Sequence, residues 1–275
     1  MRYTNKTGLP DVFVKAIEND NYSKGGADYS VTDLLRPGYM AHLKRKHDSD
    51  IVEDVSDCIF RLTGQLMHLL LERAGATTEY TIEQRFFADV AGYTVSGQVD
   101  VYEPSTKTIS DYKFTTLYKL NDLSDYEKQL NILRFLAIKN GVEVDTLRVI
   151  LIFRDWFKTQ SLLKSDYPES QVKIVDIPVW DMGRTEKFII DRIKAHLDAA
   201  PCTDAERWAR GECYAVHKKG AKKAVRLLDT EQQALDYITT HNIQNAYIEH
   251  RPPKFGRCDN YCSVKNWCKN YNGEV

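Results

Sequence analysis

The stretch 97-GQVDVYEPSTKTISDYKF-114 alternates apolar and polar residues on both sides of Pro104-Ser105-Thr106, the pattern of two strands joined by a turn. Antiparallel pairing about Ser105-Thr106 places Asp100 opposite Asp111 and Gln98 opposite Lys113. Side chains two apart share a face, so these four residues are expected on one side of a sheet. The preceding run, 80-YTIEQRFFADV-90, turns at Ala91-Gly92 into 93-YTVSGQVDVY-102. The same pairing rule puts Glu83 opposite Asp100, so Glu83, Asp100 and Asp111 form a row across three strands. Like charges directly opposite one another destabilise a sheet. A hard divalent cation bound by oxygen ligands neutralises such a row, and Lys113 then stands beside it. The alternative is a solvated strand edge carrying a weak surface ion pair.

Outward from this meander, 51-IVEDVSDCIFRLTGQLMHLLLERAG-75 reads as a helix apolar on nearly all sides and hence buried, with Gly75 as its stop. Helices are also expected over 124–141 and 183–200, and strands over 146–156 and 171–179. A short helix capped by Ser30 or Thr32 is interrupted at Pro37. The order of elements is that of an α/β protein with a mixed central sheet flanked by helices. The opening through Gly26 reads as an irregular arm. Beyond Pro201 the texture changes to a hairpin over 213–228 turning at Lys219-Gly220, a helix over 230–241 with a Thr N-cap, a strand over 246–251 and a cysteine-rich tail. The expected organisation is an arm at 1–27, a main domain at 28–200 and a small domain at 201–275.

With 38 Lys and Arg against 39 Asp and Glu, the formal net charge of −1 excludes a strongly basic, histone-like protein but permits a local basic groove. The opening MRYTNKTGLPDVF lacks the apolar segment of a secretory leader, and no run approaches the roughly 18 apolar residues of a membrane helix. A cytoplasmic protein without membrane contact is the expectation, and its six cysteines then read as thiols or metal ligands, not disulfides. Cys58 stands alone and reads as a small buried hydrophobe. In 258-CDNYCSVKNWC-268 three cysteines, Cys258, Cys262 and Cys268, lack a fourth partner. Cys202 is the candidate and Cys213 the reserve. Four thiolates suit either a [4Fe–4S] cluster or a structural Zn²⁺. In 217-HKKGAKKAVR-226, Lys218, Lys219, Lys222 and Lys223 cluster as candidate contacts to a DNA backbone, against the default of a solvated turn. The run 42-HLKRKH-47 reads as an exposed helix face.

Gly97-Gln98-Val99-Asp100 followed by Asp111-Tyr112-Lys113 resembles the GxxD…(D/E)xK core of the PD-(D/E)XK nuclease superfamily. Further motifs are similar to those of its RecB-like exonuclease branch, which includes the CRISPR-associated four-cysteine nucleases and phage relatives. Gly64-Gln65-Leu66-Met67-His68 resembles the family's GxxxH helix, Glu83 its acidic position before the GxxD strand, and Gln129-Leu130 its QL helix. The likeness spans about residues 28–180 and implies a restriction-endonuclease-like core. It implies Mg²⁺ or Mn²⁺ held by His68, Asp100 and Asp111, with Glu83 assisting, Lys113 steering the attacking water and Gln129 orienting lysine or substrate. The implied activity is a metal-dependent DNA exonuclease acting on single strands or duplex ends in recombination, repair or phage DNA processing. Two positions depart from the family: Leu133 stands where a tyrosine is usual, and no cysteine precedes the core near Pro37 to complete the family's iron–sulfur site. The alternative function is a catalytically silent DNA-binding scaffold on the same fold.

Overall fold

The computed structural model describes residues 1–19, 23–75 and 79–273. The chain divides into Met1–Ala199 and Ala200–Val275. In the first unit, β1 (Arg2–Thr4) is followed by α1 (Asp11–Glu18), β2 (Tyr29–Ser30) and α2 (Val31–Leu35). Ser30 caps α2: its hydroxyl accepts from the Asp33 amide while the Asp33 carboxylate accepts from the Ser30 amide. Pro37 ends that helix and opens α3 (Gly38–Lys46), since proline is tolerated only at a helix start. The strand β3 (Val52–Asp54) pairs in parallel with β1. Residues 1–27, expected as an irregular arm, therefore carry a strand and a helix, and α1 buries Ile17 against Val55 and Cys58. The pairing partner of β1 lies some fifty residues away, beyond any local sequence signal.

The helix α4 (Ile59–Gly75) leads to the meander β4 (Thr81–Val90), β5 (Tyr93–Glu103) and β6 (Thr108–Thr115). Then come α5 (Ser124–Lys139), β7 (Thr146–Phe153), α6 (Lys158–Leu163), β8 (Val172–Ile177) and α7 (Met182–Asp198). Six strands form one mixed sheet in the order β2-β5-β6-β7-β8, with β4 on the other edge of β5. The β4–β5 hairpin keeps the expected register, Val90 opposite Tyr93 and Gln84 opposite Val99. The β5–β6 ladder holds only Glu103–Thr108, Tyr102–Ile109 and Val101–Ser110, then stops. From there β6 continues beside β7, in parallel, while β2 takes the vacated edge of β5 at Val95 and Ser96. Asp100 and Asp111 stand where the two strands part, both buried.

The main core joins α5, through Leu130, Leu133, Phe135 and Leu136, to Leu147, Val149, Leu151 and Phe153 of β7 and to Ile189 and Ile193 of α7. Alternate residues of β7 are fully buried, as a period of two demands. The expected burial of α4 is corrected: Phe60, Leu66, Leu69 and Leu70 are all at least half exposed. The stripe bearing Gln65 and His68 belongs to polar surroundings, so the apolar residues of this helix fall on its outer side.

The second unit contains α8 (Asp204–Arg207), β9 (Ala209–Arg210), β10 (Cys213–Lys218), β11 (Arg226–Leu228), α9 (Glu231–Thr240), β12 (Ala246–Arg251), β13 (Lys254–Phe255), α10 (Gly256–Asn260) and α11 (Lys269–Asn272). A three-stranded antiparallel sheet, β11-β10-β12, packs against α9, whose N-cap is Thr230 in a capping box with Gln233. Among the described residues no helix is long and apolar enough to cross a membrane.

Candidate metal centre

Three elements bring His68, Glu83 and Asp100 together. Their ligand atoms lie within 4.8 Å of one another, the one group of this kind among the described residues. His68 comes from α4, and its Nδ1 lies 2.9 Å from Glu83 Oε1 and 3.8 Å from Asp100 Oδ1. Glu83 sits in the register position facing Asp100, but at φ 53° it leaves the ladder and turns its carboxylate toward His68. A glutamate in the left-handed region is rare and costs about 1–3 kcal/mol, which neighbouring contacts must offset. Gln98 holds it there, Nε2 donating to Glu83 Oε2 at 2.6 Å, and the Arg85 guanidinium in turn grips Gln98.

Asp100 lies where β5 and β6 separate. Its Oδ2 accepts the Tyr112 amide at 3.0 Å, replacing the ladder bond lost there. Asp111, 1% exposed, faces Lys113, with Nζ 2.8 Å from Oδ1 and 2.6 Å from Oδ2. Gln129, in the first turns of α5, donates to Asp111 Oδ1 at 3.1 Å. The six residues singled out from sequence thus converge in two linked sets: His68–Glu83–Asp100, and Asp111–Lys113–Gln129. Glu83, expected in an assisting role, lies in the ligand group, and Asp111, expected as a ligand, is bound to lysine and glutamine.

Electrostatics ties the two sets. Burial, and then the Asp111 charge, push the Asp100 carboxyl up to about 7. Burial opposes the Lys113 ammonium, yet Asp111 and Asp100 outweigh it and raise its pKa. His68 is raised chiefly by its bond to Glu83, against burial. The donor set fits a hard divalent cation: an imidazole and two carboxylates, one of them buried and unable to ionise freely without a counter-charge. Sequence reasoning gave no role to Arg85, Gln98 or Tyr126, whose ring lies 5.7 Å from Lys113 Nζ. Spacing held the signal: Arg85 is two residues from Glu83 on one strand, and Tyr126 three before Gln129 on one helix.

In the second unit, Cys202 lies near Cys258, Cys262 and Cys268, and Cys213 does not join them. Burial, the Glu206 carboxylate and these three neighbours push the Cys202 thiol up to about 11. Among the described residues these sulfurs do not form a group as compact as His68, Glu83 and Asp100. Asn270 Nδ2 donates to the Cys202 carbonyl at 3.1 Å, tying the tail to the α8 region. Cys58, in the first unit, is buried beside Ile17 and Val55. Lys218, Lys219, Lys222 and Lys223 are all exposed at the end of the β10–β11 hairpin.

No family model matches this chain, and no curated protein matches it. Among solved structures it is similar to SSO0001, with a TM-score of 0.51 and 17% identity over 72% of this chain and 90% of that one. It also matches a phage-related exonuclease from Haemophilus somnus 129PT, with a TM-score of 0.30 and 13% identity over 58% of this chain and 70% of that one. The second likeness is too slight to argue from. The first shows the fold: a mixed α/β architecture whose central mixed sheet is flanked by helices.

Proposed function

We propose that this protein is a metal-dependent deoxyribonuclease of the RecB-like kind, an exonuclease that hydrolyses phosphodiester bonds of single-stranded DNA or duplex ends. The observation that carries the reading is the His68–Glu83–Asp100 ligand group set against the Asp111–Lys113 pair. His68, Glu83 and Asp100, with Asp111 adjacent, would hold Mg²⁺ or Mn²⁺, which would supply a Lewis acid for the phosphate and lower the pKa of a bound water. The residues do the rest. Lys113 is a fixed ammonium held by two carboxylate contacts, placed to orient the attacking water or to meet charge developing on the phosphate. Gln129 keeps Asp111 turned toward the lysine, and Gln98 keeps Glu83 turned toward His68. A scaffold without chemistry has no use for a lysine fixed in this way.

In this reading residues 28–200 are the nuclease domain and 201–275 a metal-stabilised cysteine-rich domain. Cys202, Cys258, Cys262 and Cys268 hold a [4Fe–4S] cluster in preference to Zn²⁺. Broad visible absorbance distinguishes such a cluster from Zn²⁺, which is colourless.

Cleavage of end-labelled single- and double-stranded DNA in Mg²⁺, Mn²⁺ or EDTA tests the activity. Wild type should cut only with metal, and Lys113→Ala should lose about 10²–10³ in rate, the usual effect of removing one charge-stabilising donor. Full activity in the variant, or in EDTA, would refute the assignment.

A further inference from the structure

A chamber of about 1050 Å³ lies in the first unit, bounded by the N-terminal segment, α2, α3 and the start of α4. Arg61 and Gln65, on its wall, precede His68 by seven and three residues along one stripe of α4. At 1.5 Å per residue they lie about 10 and 5 Å along the helix from the metal ligand.

The chamber's charges are unevenly committed. Its carboxylates are already engaged: Asp28 accepts from the Thr94 amide, Asp33 from the Ser30 amide, Asp48 from the N-terminal ammonium, and Glu18 lies 4.0 Å from Lys15. Lys44 and Arg45, by contrast, have no ion pair among the described residues. Both line the chamber, together with Tyr29 and His196. His196 is 2% exposed, with Nε2 3.1 Å from the Arg36 carbonyl and Nδ1 without a partner. Tyr29 and Tyr93 add aromatic rings, 5.7 Å apart.

We infer that this chamber is a subsite for the polynucleotide strand flanking the scissile phosphate, with Lys44 and Arg45 binding its phosphates. The inference rests on the nuclease reading and deepens it. Paired cations hold phosphates without reading sequence, and aromatic faces accept any base. Binding in the chamber aligns the strand with the metal ligands, so its loss is felt in KM more than in kcat.

The test is binding of a short fluorescein-labelled single strand by anisotropy across a salt series, with Ca²⁺ replacing Mg²⁺ to prevent cutting. In the Lys44→Ala/Arg45→Ala protein, affinity should fall about tenfold and the salt slope by about 1.4, at roughly 0.7 per lost phosphate contact. Mn²⁺ binding should be unchanged, which also certifies folding, and Lys44→Ala/Arg45→Lys should recover part of the slope. If wild type cleaves DNA while the double variant matches it in affinity, slope and KM, the subsite is wrong and the nuclease reading stands. If wild type neither binds nor cuts any strand, the nuclease reading falls and the subsite with it.

Discussion

At the scale of single residues, Asp100 is held protonated far above the usual carboxylate range by burial and by the Asp111 charge. Folding raises its pKa from 3.8 to about 7, so the folded protein holds this proton more tightly than the unfolded chain does. Between those two pH values each unit of rise lowers the stability of the metal-free protein, by on the order of 4 kcal/mol in total at 1.36 kcal/mol per unit. His68 adds to the same trend: its raised pKa contributes stability that is fully present below its unfolded value and is lost as pH climbs through the folded one. Metal-free protein should therefore melt at higher temperature near pH 5 than near pH 8, and a divalent cation should remove or reverse the difference. Asp100→Asn should flatten the profile and stabilise the metal-free protein at pH 8. Melting curves in chelator at the two pH values check this, and equal midpoints for the wild type would contradict it.

At the scale of elements, the site exists because β5 and β6 pair for only three positions and then separate. The close seating of α2 and α5 on β5 depends on Gly97. A Cβ there would come within 2.5 Å of Leu133, 2.8 Å of Val31 and 2.9 Å of Leu136, all in the core. Gly97→Ala should therefore cost about 1–3 kcal/mol by overpacking, read as a lower denaturation midpoint with an unchanged slope. A stability equal to wild type would show that α5 does not press on the strand. Much at this scale was legible from alternation and turn residues: the registers of both hairpins, the Ser30 and Thr230 caps, and the helix bearing Gln129. The parting of β5 from β6 was not, because it is fixed by β2 and β7, strands drawn from distant parts of the chain. For the same reason pairing alone gave Glu83 its correct neighbour but not its left-handed backbone. The outward face of α4 was misjudged because apolar residues surround that helix, and periodicity cannot tell which side meets a polar site.

At the scale of the whole molecule, the sequence divides into a large α/β unit and a smaller one of short strands and helices that carries five of the six cysteines. The smaller unit buries few large side chains, so a metal on Cys202, Cys258, Cys262 and Cys268 would supply much of its folding energy. Cys202→Ser should abolish the broad visible absorbance of anaerobically purified protein and lower the unfolding temperature of this unit, while Cys213→Ser should change neither. Colourless wild-type protein containing zinc would replace the cluster by a single ion. The central claim concerns the larger unit, that its buried carboxylates are a cation site and not a hydrogen-bonded cluster closed on itself. Calorimetric titration of the protein with Mn²⁺ near pH 8 tests this most directly. One site per chain, with the heat lost in Asp100→Asn, is the predicted result; no saturable binding to wild type would contradict it.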